Sequence, residues 1–287
     1  MSNFKVGEWV RITDAKGRRH NFALQAGGVF HTKKGQLFHD HIIGQPEGIV
    51  ITSTLEGQFV VFRPLLFETV VSMPRGAAII YPKDAANIIT FADIFPGAKV
   101  LEAGGGSGGL SAYLLRAIGP TGELHSFEIR EDFAEKANEN IAHIFGDIPP
   151  QWKLTIGDLA DCYETGFDRM ILDLVNPWDF VELAANKLTP GGLVCAYVAT
   201  TTQLSRFIET VRAHGGFTEP VAWEALERRW QAEGLAVRPV HGAGSHTAFL
   251  ITSRKMAPGH EALVKTRRPA PGAYGPDYQG PKPRDLE

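Results

Sequence analysis

The segment Val100–Leu110, Val-Leu-Glu-Ala-Gly-Gly-Gly-Ser-Gly-Gly-Leu, constrains the fold more than any other part of the chain. An apolar run with the pattern of a buried strand ends in glycines, and a helical pattern from Leu110 to Ala117 follows at once. Glycine lacks a Cβ and tolerates positive φ, so backbone at such a turn can approach a ligand closely. A ligand there also meets the free amide donors at the start of a helix. A second strand pattern, Gly122-Glu-Leu-His-Ser-Phe-Glu128, ends in an acid. A carboxylate at the end of the second strand of a βαβ unit typically holds ribose hydroxyls. Turn and acid together imply a nucleoside-bearing cofactor, and the acid argues against a glycine turn with no ligand.

Spacing alone leaves the cofactor open. Gly104, Gly106 and Gly109 fit the dinucleotide fingerprint G-x-G-x-x-G/A loosely, which keeps NAD in play. Glutamate inside Leu-Glu-Ala-Gly-x-Gly-Ser-Gly instead resembles motif I of the class I S-adenosylmethionine-dependent methyltransferases, whose cofactor has no pyrophosphate to cradle. On that resemblance Gly104, Gly106, Ser107, Gly108, Gly109 and Glu128 are the expected cofactor contacts.

A chain of 287 residues with 44% hydrophobic content can bury one large core or two smaller ones. It contains no run of about 18 apolar residues, so no membrane span is expected. Residues 1–11 lack a signal-peptide core. The two cysteines, Cys162 and Cys195, lie far apart, which gives no disulfide framework or metal-site spacing and suits a cytoplasmic protein. The net charge of −3 is uneven: residues 1–45 carry +4, residues 254–287 carry +3, and the stretch between carries −10. Basic ends permit contact with phosphates, and equally fit solvated surface charge. His31, His39 and His41 have no cysteine or third acid to complete a metal site, so a phosphate-facing or solvated loop is expected, and no metal.

Residues 1–65 read as a small β-rich domain, with strands at Trp9-Val-Arg-Ile, Gly48-Ile-Val-Ile-Thr and Gly57-Gln-Phe-Val-Val-Phe between glycine turns. Residues 66–98 read as a connector. From Lys99 to Met256 the rhythm is βα. Strands are expected near 99–103, 123–128, 153–156, 168–173 and 191–198. Helices are expected near 108–118, 131–144, 178–188 and 202–214, and further strands near 218–223 and 246–252. The fold class is therefore α/β, a Rossmann-like parallel sheet covered on both faces. Residues 257–287, rich in Pro, Gly and charge, read as a disordered basic tail.

Several separated motifs now accumulate. They are Gly27-Gly-Val-Phe-His-Thr-Lys-Lys-Gly35, Tyr81-Pro-Lys-Asp-Ala85, the glycine turn, and Leu172-Asp-Leu-Val-Asn-Pro-Trp178. Ala196-Tyr-Val-Ala-Thr-Thr-Thr-Gln203 and His246-Thr-Ala-Phe-Leu250 complete the set. In this order, over roughly residues 25–252, the chain resembles the bacterial tRNA (adenine-N1)-methyltransferases that act on adenosine 58 of the T-loop. The resemblance implies S-adenosylmethionine as cofactor, tRNA as partner and a homotetramer.

It also assigns roles. Asp173 is the expected catalytic carboxylate and lies beside the cofactor. Asp158 and Leu159 join the cofactor contacts, and Tyr81, Tyr197 and His246 are expected at the substrate. The chemistry fits Asp173: adenine N1 is already a lone-pair nucleophile, and a carboxylate accepting from the exocyclic amine would orient the base and offset charge developing on the ring. Plainer roles exist for each group. Asp173 could cap the next helix, Asp158 could hold a turn, Glu128 could be a surface acid, and Tyr81 and His246 could simply pack. The chain departs from relatives at Gly105, where Thr is common, at Phe133, where some carry a basic cofactor contact, and at Val175, where some carry proline. Two other readings share part of the pattern: a protein methyltransferase of the isoaspartyl-repair type, and a non-catalytic tRNA-binding subunit. Retention of both the glycine turn and Asp173 argues against the second.

Overall fold

The computed structural model describes residues 3–242, 244–263, 270 and 272–279. Two compact units form, Met1–Thr69 and Val70–Glu287. The first holds β1 (Trp9–Asp14), β2 (Arg19–Ala23), β3 (Val29–Thr32), β4 (Gly35–Phe38), β5 (Ile49–Thr52) and β6 (Gln58–Phe62); β1 and β6 alternate buried and more open positions, as half-buried strands must. Strands β2-β1-β6-β5 make an antiparallel sheet in that order, and β3 and β4 form a separate hairpin. Phe4, Val10, Ile12, Leu24, Leu37, Ile42 and Val61 fill its core. His39 belongs to that interior and not to a phosphate-facing or solvated loop. It is buried, stacks on Phe22 at 4.7 Å between ring centroids, and accepts a hydrogen bond from Gln25 N at Nδ1.

Helix α1 (Leu66–Ser72) spans the boundary between the units, and α2 (Pro82–Phe91) begins at a proline, whose fixed φ and missing N–H suit the first helical position. The second unit continues with β7 (Lys99–Ala103), α3 (Gly109–Ile118), β8 (Glu123–Glu128), α4 (Glu131–Phe145), β9 (Trp152–Ile156) and β10 (Phe167–Leu172). It ends with α5 (Val181–Lys187), β11 (Leu188–Val198), α6 (Thr201–His214), β12 (Val221–Trp223), β13 (Trp230–Glu233), β14 (Ala236–Pro239) and β15 (Phe249–Arg254).

Seven strands form one sheet in the order β12-β15-β11-β10-β7-β8-β9. The five strands from β11 to β9 run parallel, and β15 and β12 add antiparallel to the edge beside β11. The sheet is therefore mixed where the βα rhythm implied a parallel one. The chain order changes direction between β7 and β10, and this switch point is where an open α/β sheet leaves a crevice at its carboxyl ends. The β13–β14 hairpin stands apart as a two-stranded ribbon with every residue exposed. No helix among the described residues is long and apolar enough to cross a membrane.

The tail expected at 257–287 falls partly outside the described residues, at 264–269, 271 and 280–287. Its described part touches α6. The Tyr274 hydroxyl donates to Glu209 at 3.0 Å, and the rings of Tyr274 and Tyr278 meet edge to face.

Candidate active site

The glycine turn lies between β7 and α3, as its sequence demands. Gly104, Gly106 and Gly108 all adopt left-handed φ, at 85°, 52° and 81°. Gly104 is the most constrained: a Cβ there would lie 2.1 Å from the carbonyl oxygen of Asp173. The amides of Gly104 and Gly105 both donate to the Phe127 carbonyl. The Gly106 amide donates to Glu128 Oε2 at 2.8 Å, while Glu128 Oε1 accepts from Arg130 N at 2.9 Å. Glu128 is buried at the end of β8 and clamps the turn that precedes it in the chain. Each of its oxygens retains a lone pair for a further donor.

Ser107 faces inward. Its hydroxyl accepts from Gly76 N at 3.3 Å, and its carbonyl accepts from the buried Asn140 amide at 2.9 Å. Ser107 therefore shapes the turn through packing, and its hydroxyl, which accepts from Gly76, keeps its own O–H to donate. Gly109 opens α3 against Ile79 and Met73. Asp158 is exposed and accepts from Ala160 N at 2.8 Å, capping a short 3-10 turn, and Leu159 beneath it is buried.

Three carboxyl groups converge around this turn. Glu102, wholly buried in β7, accepts from Ser111 Oγ at 2.7 Å and Ser126 Oγ at 2.5 Å through one oxygen; the other has no partner among the described residues. Burial pushes its pKa up to about 7, the two serine bonds pull it down, and the charges of Asp173 and Glu128 add to the rise. Asp173 follows β10, with its amide donating to Ala103 O at 2.9 Å. Burial, and then the charge of Glu128, lift its pKa to about 7 as well. A crowded acidic cluster of this kind is short of positive charge. A sulfonium cofactor supplies it, so both the glycine cradle and the donor set fit S-adenosylmethionine.

The opposite face of the cleft comes from α2, β11 and the approach to β15. Asp84, fully buried in the first turn of α2, receives Lys83 Nζ on Oδ1 at 2.7 Å and Thr247 Oγ1 on Oδ2 at 2.7 Å. Lys83 also reaches Thr247 Oγ1 at 2.6 Å. The Tyr197 hydroxyl lies 3.5 Å from Asp84 Oδ2. Burial first, then the negative charges of Asp84 and Asp173, raise the Tyr197 pKa above its ordinary value. Tyr197 therefore feels the charge of both acids. Tyr81 is half exposed and immediately precedes α2, its carbonyl accepting from the Asp84 and Ala85 amides.

His246 uses both ring nitrogens, Nδ1 on Glu224 Oε2 at 2.7 Å and Nε2 on Ala199 O at 2.8 Å. The carbonyl and then the carboxylate raise its pKa, which favours imidazolium with both N–H groups donating. It ties the approach of β15 to the end of β11.

Sequence reasoning placed Tyr81, Tyr197, His246 and Asp173 near one another, but it missed Lys83, Asp84 and Thr247. The signal was available: Lys83 and Asp84 lie within Tyr81-Pro-Lys-Asp, and Thr247 follows His246. The loop after Asp173 is exposed at Val175 and Asn176, and Arg206 covers Trp178 with its guanidinium 4.3 Å from the ring centroid.

Residues 61–236 match the family described as the tRNA methyltransferase complex GCD14 subunit, and residues 3–51 match the TrmI-like N-terminal family. The tRNA (adenine(58)-N(1))-methyltransferase TrmI of Thermus thermophilus is 34% identical over 244 residues, 85% of this chain and 95% of that protein. The structure of tRNA (m1A58) methyltransferase TrmI from Aquifex aeolicus superposes with a TM-score of 0.78 at 29% identity, covering 89% of this chain and 99% of that one. A Thermotoga maritima structure described as a SAM-dependent O-methyltransferase gives a TM-score of 0.85 at 26% identity, covering 91% and 97%. The sequence likeness spans both units. The chain belongs to the TrmI/GCD14 family of tRNA methyltransferases.

Proposed function

We propose that this protein transfers a methyl group from S-adenosylmethionine to N1 of adenosine 58 in the T-loop of tRNA. The observation that carries the reading is Asp173, a carboxylate at the switch point of the sheet, held against Gly104 by backbone and flanked by Tyr197. The glycine turn, Glu128, Asp158 and Leu159 hold the cofactor, which when bound supplies a methyl group on a sulfonium. Asp173 accepts from the exocyclic amine of adenine and so aims N1, whose lone pair needs no base before attack. The ring gains positive charge as the methyl arrives, and the carboxylate offsets it in a site where water is scarce. Tyr81 and Tyr197 border the space for the base, and a half-exposed aromatic such as Tyr81 can stack on it once it is extruded from the tRNA elbow.

In the first unit Lys16, Arg19 and Lys33 are exposed and pair with no acid among the described residues. They suit contact with tRNA phosphates, a salt-dependent interaction. The protein acts in the cytoplasm as a homotetramer. Support for assembly comes from the apolar side chains left open around the β13–β14 hairpin: Leu226, Trp230, Leu235, Val237 and Val240. Their association would remove that patch from water.

The test is incubation of the protein with labelled S-adenosylmethionine and an unmodified tRNA transcript, followed by nucleoside analysis. The expected result is 1-methyladenosine at position 58 only when that position is adenosine. Label on a ribose hydroxyl or on a protein acceptor, with none at adenosine 58, overturns the reading.

A further inference from the structure

The loop from Asp173 to Trp178 has one weak point. Its first residue is fixed by the Asp173–Ala103 backbone bond and its last by Arg206 over Trp178. Between them Val175 and Asn176 are exposed and contribute no packing that could hold the chain. Among the described residues one side chain hydrogen-bonds to this stretch: Gln203 donates its Nε2 to the Val175 carbonyl at 2.9 Å. Gln203 also serves α6. It is the third residue of that helix, and its Oε1 accepts from the Thr200 amide at 3.0 Å while the Thr200 hydroxyl accepts from the Gln203 amide at 3.2 Å. The two functions use different atoms. The carbonyl oxygen closes the capping box, and the amide nitrogen is the strap.

We propose that Gln203 is a positioning residue for methyl transfer, its side-chain amide holding the Asp173–Trp178 loop in the shape that receives the adenine. The inference rests on the reading of the site as an adenosine methyltransferase. Glutamine is the side chain the double task requires. A glutamate at 203 keeps the acceptor for Thr200 N but has no donor for Val175 O, and it sets a charge against that carbonyl. Thr200→Ala makes the opposite change: it removes the cap hydroxyl, which accepts from the Gln203 backbone amide and donates to Gln203 Oε1 at 3.0 Å, and leaves the Nε2 bond to Val175 and the Thr200 amide bond to Oε1. Structure and chemistry are thereby separable.

The experiment measures single-turnover methylation of a tRNA transcript, S-adenosylmethionine affinity and melting temperature for the wild type, Gln203→Glu and Thr200→Ala. Gln203→Glu should lower the chemical rate by about 10- to 100-fold, the scale of a modest misplacement in a reacting site, with melting temperature and cofactor affinity close to wild type. Thr200→Ala should lower the melting temperature and leave the rate nearly unchanged. A folded Gln203→Glu protein with wild-type turnover overturns the proposal. So does a rate that follows melting temperature across both variants, since Gln203 would then act only as a cap. A wild type that forms no 1-methyladenosine at position 58 defeats the underlying reading and the proposal with it, a result distinct from equal activity in both proteins.

Discussion

The two faces of the cleft are held together by different means. On the cofactor face the glycine turn is fixed to Glu128 by its own backbone, over a separation of 22 residues, and one oxygen of Glu102 accepts from both Ser111 and Ser126, in the adjoining helix and strand. On the base face Asp84 gathers Tyr197 from 113 residues away and Thr247 from 163. The first face is a local motif whose conformation is dictated by glycine and a neighbouring acid. The second exists only once α2, β11 and the approach to β15 have come together. Damage to the first should abolish cofactor binding even where the fold survives, and damage to the second should be felt chiefly in stability and activity.

The largest effect is expected at Gly104. Gly104→Ala adds left-handed strain of about 1–3 kcal/mol to an overlap with the Asp173 carbonyl that only backbone movement can relieve. Calorimetry should find cofactor binding abolished, and thermal unfolding should show a marked loss of stability. At Gly106 the Cβ direction is open, the nearest atom lying 3.7 Å away. Substitution there is therefore opposed by backbone conformation more than by steric exclusion. A folded Gly104→Ala protein that binds cofactor normally would break the local account of this face.

Asp84→Ala comes next. It strands the Lys83 ammonium, whose side chain is only 13% exposed. Breaking a buried pair by removing one partner typically costs about 3–5 kcal/mol, readable by denaturant unfolding. Asp84→Asn should retain more of the fold. Unfolding of Asp84→Ala within 1 kcal/mol of wild type, taken as a rough limit, would show that the base face is not held as described.

The acidic cluster predicts a pH dependence of intermediate size. Carboxyl groups at Asp173 and Glu102 stay protonated up to about 7 in the native protein but ionise near their ordinary values, 3.8 and 4.5, when unfolded. As pH rises through that window the unfolded chain releases protons that the native one retains. The two groups therefore make the ligand-free protein less stable toward pH 7 and have a level effect above it. Binding a sulfonium favours the ionised form of Asp173. Cofactor affinity should accordingly rise by up to about tenfold per pH unit below 7 and then plateau, and Asp173→Asn should flatten the profile. Affinity independent of pH from 5 to 8 would remove the electrostatic part of the argument. The smallest effect should be at Glu102→Gln, which matches the neutral acid in shape and keeps an acceptor for both serines. Its stability should lie within about 1 kcal/mol of wild type.

The same contrast explains what could be read from sequence. The turn at 104–109, the acid at 128 and the strand ending at Asp173 are written in consecutive residues, with hydrophobic periodicity around them. The βα order from β7 to α6 was legible for that reason. Asp84 was not, because an acid in the first turn of a helix is an ordinary helix-start residue until Tyr197 and Thr247 are known to meet it. His39 was read as part of a solvated or phosphate-facing loop, since nothing adjacent in sequence announces the ring of Phe22 stacked on it. The antiparallel β15 and β12 and the β13–β14 hairpin lie beyond the last βα unit, where alternation no longer sets direction. Gln203 was legible as a motif residue but not as a donor, since its target is a backbone carbonyl.

The central claim is that Asp173 stabilises the reacting adenine. Single-turnover methylation of a tRNA transcript by Asp173→Ala, with saturating cofactor, tests it most directly. Loss of one electrostatic stabiliser of this kind costs on the order of 10²–10³ in rate. The account predicts that fall in a protein with the native circular dichroism spectrum and measurable cofactor binding. A folded Asp173→Ala protein that forms 1-methyladenosine at close to the wild-type rate would contradict it.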